Sequence, residues 1–197
     1  MKPCFLFLLA LLTLSSCDDG DIIVTNFDFD SNSALQLCNT DASTIMYVVN
    51  DDPAESISFK FPDPDFDGTY PEDIESKTIT VNLSNSNHLI YRAYDGSLDG
   101  ANYFCSGVPP TQPGVTNEYI SKDGGYIELI VVMIDQSLDE QTNILTRKFE
   151  TYAIAHNITL VNSSNGEEIV KETMRLGSFE KTTEFDLSTN PTPTPAP

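Results

Sequence analysis

The stretch that decides the fold reads YIELIVVMI and runs from Tyr126 to Ile134. Only Glu128 interrupts its run of apolar and β-branched side chains, and this composition favours a β-strand. Its near-continuous hydrophobicity predicts a central strand that is buried on both faces. The residues directly before it, Asp123 to Gly125, predict a tight turn into this strand.

The rest of the chain repeats the same signal at a period of two. Further strands are predicted at residues 22–29, 44–49, 56–61, 78–83 and 89–94, and the clearest hairpin joins residues 149–161 to 167–176 through Asn162–Gly166. No segment carries a sustained helical period, and residues 138–149 are the one candidate for a short helix. The sequence therefore predicts an all-β fold with little or no helix, an antiparallel β-sandwich that is immunoglobulin-like or related.

Two domain organisations agree with this pattern. One β-sandwich domain over residues 22–189 is the first, and two small sandwiches divided near residues 84–87 are the second. Residues 190–197 read NPTPTPAP, and this alternating proline predicts a solvated, disordered tail.

The N-terminus has the pattern of a secretory signal, with Lys2, an apolar run from Phe5 to Leu14, and small residues before Cys17. The apolar run is too short to span a bilayer as a helix. Leu14-Ser15-Ser16-Cys17 resembles the lipobox of bacterial lipoproteins. That resemblance implies a signal peptide over residues 1–16 and lipidation, including palmitate, at Cys17. The alternative is an ordinary cysteine after an ordinary signal peptide.

The acidic tether at residues 17–21 (CDDGD) resembles the anchors of lipoproteins from the Bacteroidota, including flavobacteria. The chain as a whole is similar to the small β-rich lipoproteins of that group. The resemblance implies lipid anchoring in the cell envelope, at the outer membrane and exposed on the cell surface. In enterobacteria an aspartate directly after the cysteine accompanies retention in the inner membrane, so the membrane and leaflet stay open.

Processing of the signal would leave Cys38 and Cys105 as the two remaining cysteines. In an oxidising compartment two cysteines allow one pairing, which predicts a Cys38–Cys105 disulfide. Two unpaired buried thiols are the alternative. A zinc site is not expected, because two distant cysteines and two histidines show no ligand spacing.

Charge excludes some classes of partner. Without residues 1–16, which contain Lys2 and no acid, the chain has 9 Lys and Arg against 30 Asp and Glu, a net charge of −21. Such a chain repels nucleic-acid phosphates, and we expect no nucleic-acid partner. Anionic lipid headgroups are repelled as well, so membrane attachment would depend on the lipid.

Two groups of residues are candidate binding sites. Asp63, Asp65, Asp67 and Gly68 match the start of a D-x-D-x-D-G calcium loop, with Asp73 or Glu75 as further ligands, although the acidic ligand expected at loop position 12 is replaced by Ile74. An acidic, proline-containing connection with no metal is the simpler interpretation.

Separately, Tyr91, Tyr94 and Tyr103 fall close together and would line a face on which sugars stack, unless they pack inside the sandwich.

No catalytic motif stands out. His88 and His156 are the only histidines, and neither lies beside a glycine-flanked serine. We therefore expect a non-enzymatic binding or structural module of the envelope, whose partner is an envelope protein or an extracellular polysaccharide. The alternatives are a calcium-assisted carbohydrate-binding module and, with least support, a hydrolase that uses paired carboxylates.

Overall fold

A computed structural model of the protein describes residues 34–70 and 76–189, which form nine strands and one short α-helix. The elements are β1 (Gln36–Asn39), β2 (Thr44–Asp51), β3 (Ala54–Phe61), β4 (Ser76–Asn82), β5 (Leu89–Tyr94), α1 (Gly100–Phe104), β6 (Val115–Ser121), β7 (Tyr126–Asp139), β8 (Ile144–Asn162), β9 (Glu168–Asp186) and a closing 3₁₀ turn (Leu187–Thr189). The all-β prediction is confirmed.

The strands pair antiparallel in the order β1-β2-β3-β5-β6-β8-β7-β4, and β9 pairs with β8. The long strand β8 organises this arrangement. It pairs along its length with β9, while β7 pairs with residues 144–156 of β8 and β6 pairs with residues 160–162. As a result β8 connects the β7–β4 strands to the β1–β2–β3–β5–β6 strands.

The stretch at residues 126–134 lies in β7, between β4 and β8, so its central position in the sheet is confirmed. The prediction that both of its faces are buried is wrong. Ile127, Leu129 and Val131 are almost completely buried, whereas Ile130 and Val132 on the other face stay partly exposed. The hydrophobic run therefore reflects one core face and one half-covered face.

The core is one hydrophobic cluster that includes strands from both parts of the sheet. Met46 and Val48 of β2 belong to it together with Leu129 of β7 and Phe149 of β8. Buried side chains on both sides of residues 84–87 therefore share one core, as the one-domain alternative requires. The immunoglobulin-like sandwich arrangement itself stays a prediction.

The candidate segment for a short helix, residues 138–149, is not helical, because β7 and β8 continue through this region around a turn. Asn143, with a φ of 55°, lies in that turn, and the β-branched Ile144 and Thr146 extend β8. The described helix is α1, where the Asp99 side chain accepts a hydrogen bond from the Asn102 N–H at 3.1 Å and caps the first turn.

Several predictions concern residues outside the described ranges. These are the signal at residues 1–16, the anchor at Cys17 with its tether, the strand at residues 22–29, the ligands Asp73 and Glu75, and the tail at residues 190–197. In the part of the chain that the structure does describe, no helix has the length and apolar character needed to cross a bilayer.

Candidate functional site: a cleft on the outer face of the sheet

The helix α1 packs on the face of β2, β3 and β5 that points away from the core, which we call the outer face. Tyr47 alternates with the core residues Met46 and Val48 of β2 and so lies on this outer face. The ring of Phe104 stacks on it, with the ring centroids 4.5 Å apart. A Cβ atom at Gly100 would lie 2.7 Å from the Tyr47 ring, so this glycine permits the close approach of the helix.

The predicted disulfide is confirmed and holds the same helix. Cys38 in β1 is bonded to Cys105, the C-cap residue of α1, and their Cα atoms are 5.2 Å apart. The bond ties the end of α1 to the edge of the sheet next to the outer face. The short helix is therefore fixed by aromatic packing and by a covalent link at adjacent positions.

Between the outer face and the segment that follows α1 lies a cleft of about 300 Å³. Its floor comes from β2, β3 and β5 and includes Ile45, Ser58, Lys60, Ile90 and Arg92. Tyr103, Phe104 and Pro109 form one wall, and Ser86 and His88 close one end. The cleft is thus predominantly apolar, with a few polar groups, as is usual for small-molecule sites.

The cleft has two cationic side chains in a strongly acidic protein. Lys60 and Arg92 line it together with the ring of His88, while none of the described lining residues is Asp or Glu. The Arg92 Nε donates to Glu118 Oε2 at 2.7 Å. Burial alone lowers the pKa of Arg92, but the hydrogen bond and charge of Glu118 outweigh burial, so the pKa is raised and the guanidinium stays charged.

His88 is held in one orientation at the end of the cleft. Its Nδ1 lies 3.0 Å from the carbonyl oxygen of Ser121, and because a carbonyl only accepts, Nδ1 carries the proton and donates. The side-chain oxygen of Ser121 also accepts a hydrogen bond from the Leu89 N–H, at 2.9 Å. The ring of His88 is therefore anchored to β6 just before β5 begins.

The structure separates the three tyrosines that were predicted to share a face. Tyr103 lines the cleft, and Tyr94 packs edge-on against it with ring centroids 5.6 Å apart. Tyr91 lies in the core, where its hydroxyl donates to Glu55 at 2.7 Å, so the prediction of a three-tyrosine face is wrong for this residue. Tyr91 and Tyr94 are three positions apart on β5, an odd spacing that puts them on opposite faces, and the register with β6 shifts between Ala93 and Tyr94.

Tyr94 is itself covered and is not a stacking platform. It is 7% exposed, and its hydroxyl is hydrogen-bonded to the Ser56 hydroxyl at 2.8 Å. Burial is the main cause that raises the pKa of Tyr94 to about 12, and Tyr103 adds to the increase. Of the three tyrosines, Tyr103 therefore remains as a ligand-contacting candidate.

The aspartate loop is organised by its own backbone and by a buried aromatic ring. Asp63 accepts the N–H of Asp65 at 3.0 Å, and Asp67 accepts the N–H of Thr69 at 3.0 Å. Phe66, between them, is buried in the core and packs on Phe61, with ring centroids 4.6 Å apart. This packing accounts for the shape of the loop without a bound ion.

A second cleft of about 500 Å³ lies between this loop and β4, and Asp63, Asp65 and Asp67 line it together with Tyr70. Burial, and then the charges of Asp63 and Asp67, raise the pKa of Tyr70. Within residues 34–70 and 76–189, no three His, Cys, Asp or Glu side chains are grouped so that they could hold a metal ion. The calcium site stays a prediction.

The cleft beside α1 was not predicted from the sequence, because its residues come from separate segments of the chain. Lys60, Arg92 and Phe104 are distant in sequence and carry no motif. The pairing of β3 with β5 puts Lys60 and Arg92 on one face of the sheet, with Arg92 opposite Ser56. The alternation of Ser58 and Lys60, and of Ile90 and Arg92, is a signal of a shared outer face. It becomes useful only once the strand pairing is known.

Comparisons of the chain with protein-family models, with curated proteins and with solved structures find no significant match.

Proposed function

We propose that the protein is a lipid-anchored, non-enzymatic binding module of the cell envelope, attached through Cys17, and that the cleft beside α1 is its ligand site. The observation that carries this proposal is the construction of the cleft. A floor of three paired strands faces a wall that a disulfide and a stacked aromatic pair hold in place. Preorganisation of this kind lowers the entropy cost of ordering a site when a ligand binds.

The disulfide also supports a location outside the cytoplasm. Disulfides persist in oxidising compartments and are rare among proteins that stay in the cytosol. The Cα atoms of Cys38 and Cys105 are 5.2 Å apart, a separation that suits a disulfide, and this bond supports export of the chain. The lipobox-like sequence before Cys17 would then supply the anchor.

Anchoring is tested with the full chain in a diderm bacterial host, by labelling with a radioactive or clickable palmitate and by fractionation of membranes. Wild type should be labelled and should sediment with the membranes, and Cys17→Ser should lose both properties. Cys4→Ser is the matched control, because this cysteine lies within the predicted signal and should leave both unchanged. An unlabelled wild type, or a labelled Cys17→Ser variant, would overturn the anchoring proposal.

A further inference from the structure

We propose that the cleft beside α1 binds a small organic carboxylate that has an aromatic or other apolar body. This inference rests on the proposed function, because it names the ligand class for the same site. Two features of the cleft carry it, the charge of its lining and the apolar character of its walls.

The charge of the cleft lining favours an anionic ligand. The chain has a net charge of −20, so most of its surface repels anions. In this cleft the described lining residues include Lys60 and Arg92 and no acid, and the charge of Arg92 is paired with Glu118. Lys60 therefore supplies the positive charge that an anion meets here.

The cleft has few free hydrogen-bond donors, and this favours a ligand with a single negative charge. The Nε of Arg92 is already occupied by Glu118, and Nδ1 of His88 by the Ser121 carbonyl. Lys60 is exposed and offers an ammonium group at the floor of the cleft. A phosphate group has a charge close to −2 and three strong acceptor oxygens, whereas a carboxylate has a single negative charge, which one ammonium group balances.

The apolar walls of the cleft favour a ligand whose remaining part is apolar. Ile45 and Ile90 on the floor and Tyr103 and Phe104 on the wall present aliphatic and aromatic surfaces to the cleft. A sugar would bring many hydroxyls that need partners, and burying them unpaired is unfavourable. An aromatic ring buries its surface between these side chains at no such cost, and its carboxylate would pair with the ammonium group of Lys60.

The test uses the mature chain, residues 17–197, with Cys17→Ser to remove the lipid. The probes are 2-naphthoate and its neutral analogue 2-naphthamide. Because the chain contains no Trp, fluorescence anisotropy of the naphthalene is read without interference from indole emission. Naphthoate should bind more tightly than naphthamide. Lys60→Gln should weaken naphthoate roughly tenfold, the effect of losing a hydrogen bond to a charged group, and leave naphthamide within about twofold.

Two further variants keep the test specific. Lys181→Gln removes an exposed positive charge from β9 and should leave both affinities unchanged. Lys60→Glu should weaken naphthoate more than Lys60→Gln does. Equal binding of the two probes in wild type, with no effect of Lys60→Glu, would overturn the carboxylate inference and leave the cleft as a site for a neutral apolar ligand. Failure of both probes to bind would count against the cleft as the ligand site as well.

Discussion

Phe104 stacks on Tyr47 at a centroid distance of 4.5 Å, one residue before the cysteine that is bonded to Cys38. The buried Tyr47 in turn donates its hydroxyl hydrogen bond to Gln36 in β1, at 2.7 Å. One side chain of β2 thus touches both the edge strand and the helix that the disulfide links. This arrangement keeps a five-residue helix on the sheet, although a helix of this length is not stable by itself.

Loss of the disulfide should destabilise the whole fold. The Cys38–Cys105 bond closes a loop with a sequence separation of 67 residues. The chain-entropy model gives about 4 kcal/mol for a loop of this size, as an upper estimate. We expect the double variant Cys38→Ser/Cys105→Ser to lower the free energy of unfolding, measured by urea denaturation, by up to this amount.

Reductant provides the control for that measurement. It should lower the stability of wild type toward that of the double variant and leave the double variant unchanged. A double variant that unfolds at the wild-type urea concentration would contradict a stabilising role of the bond.

Gly68 should not tolerate a side chain. Its φ is +85°, and an added Cβ would lie 2.4 Å from a ring carbon of Phe179. The left-handed backbone costs about 1–2 kcal/mol and the overpacking about 1–3 kcal/mol. We expect Gly68→Ala to lower the free energy of unfolding by about 2–5 kcal/mol. Gly107→Ala is the matched control, because a Cβ there meets no atom within 4 Å, and equal stability of the two variants would refute the argument.

Calcium should have little effect on thermal unfolding. The carboxylates of Asp63 and Asp67 already accept hydrogen bonds within the loop, and Phe66 anchors it in the core. A ligand present at 100 times its Kd would add about 2.7 kcal/mol and raise the Tm by several degrees. We expect the same Tm in calcium and in chelator at matched ionic strength.

The opposite result would have a clear signature. A calcium-dependent rise in Tm that disappears in Asp65→Ala and persists in Asp41→Ala would establish the aspartate loop as a cation site. The exposed Asp41 serves as the control for general loss of negative charge.

Alkaline pH should weaken the fold through Tyr94. Its pKa is raised from 10.0 to about 12, mainly by burial. Between these two values the unfolded chain releases the phenol proton and the folded chain retains it, so the free energy of unfolding falls as the pH rises from 10 to 12. Phenolate absorbance should show late titration of this group in the native protein. Tyr94→Phe should remove one late-titrating phenol, and an unchanged titration would be inconsistent with a protonated, buried Tyr94.

The strands could be predicted from the sequence because their signals are local. The alternation at Ser56–Phe61 and the turn at Asn162–Gly166 each lie within a few residues, and the structure has β3 and the β8–β9 connection at these places. In contrast, α1 is too short to show a helical period. Its Asp99-Gly100 sequence also has the composition of a hairpin turn.

The cleft could not be predicted because it depends on non-local pairing. Period two indicates that Ile90 and Arg92 share a face, but not which face the core covers. The register that places Ser58 opposite Ile90 and Ser56 opposite Arg92 is a property of the folded sheet. The position of Phe104 above Tyr47 also depends on the disulfide. The cysteine count predicted the pairing of the two cysteines, but not that the bond would hold one wall of the cleft in place.

The central claim, that the cleft beside α1 is the ligand site, is tested most directly by methyl NMR of the mature chain during titration with 2-naphthoate. We predict that the isoleucine methyl signals of Ile45 and Ile90, which line the cleft, shift in a saturable way. The signals of Ile127 and Ile158, which are fully buried in the core, should stay in place. Saturable shifts at residues away from the cleft, with Ile45 and Ile90 unmoved, would contradict the account.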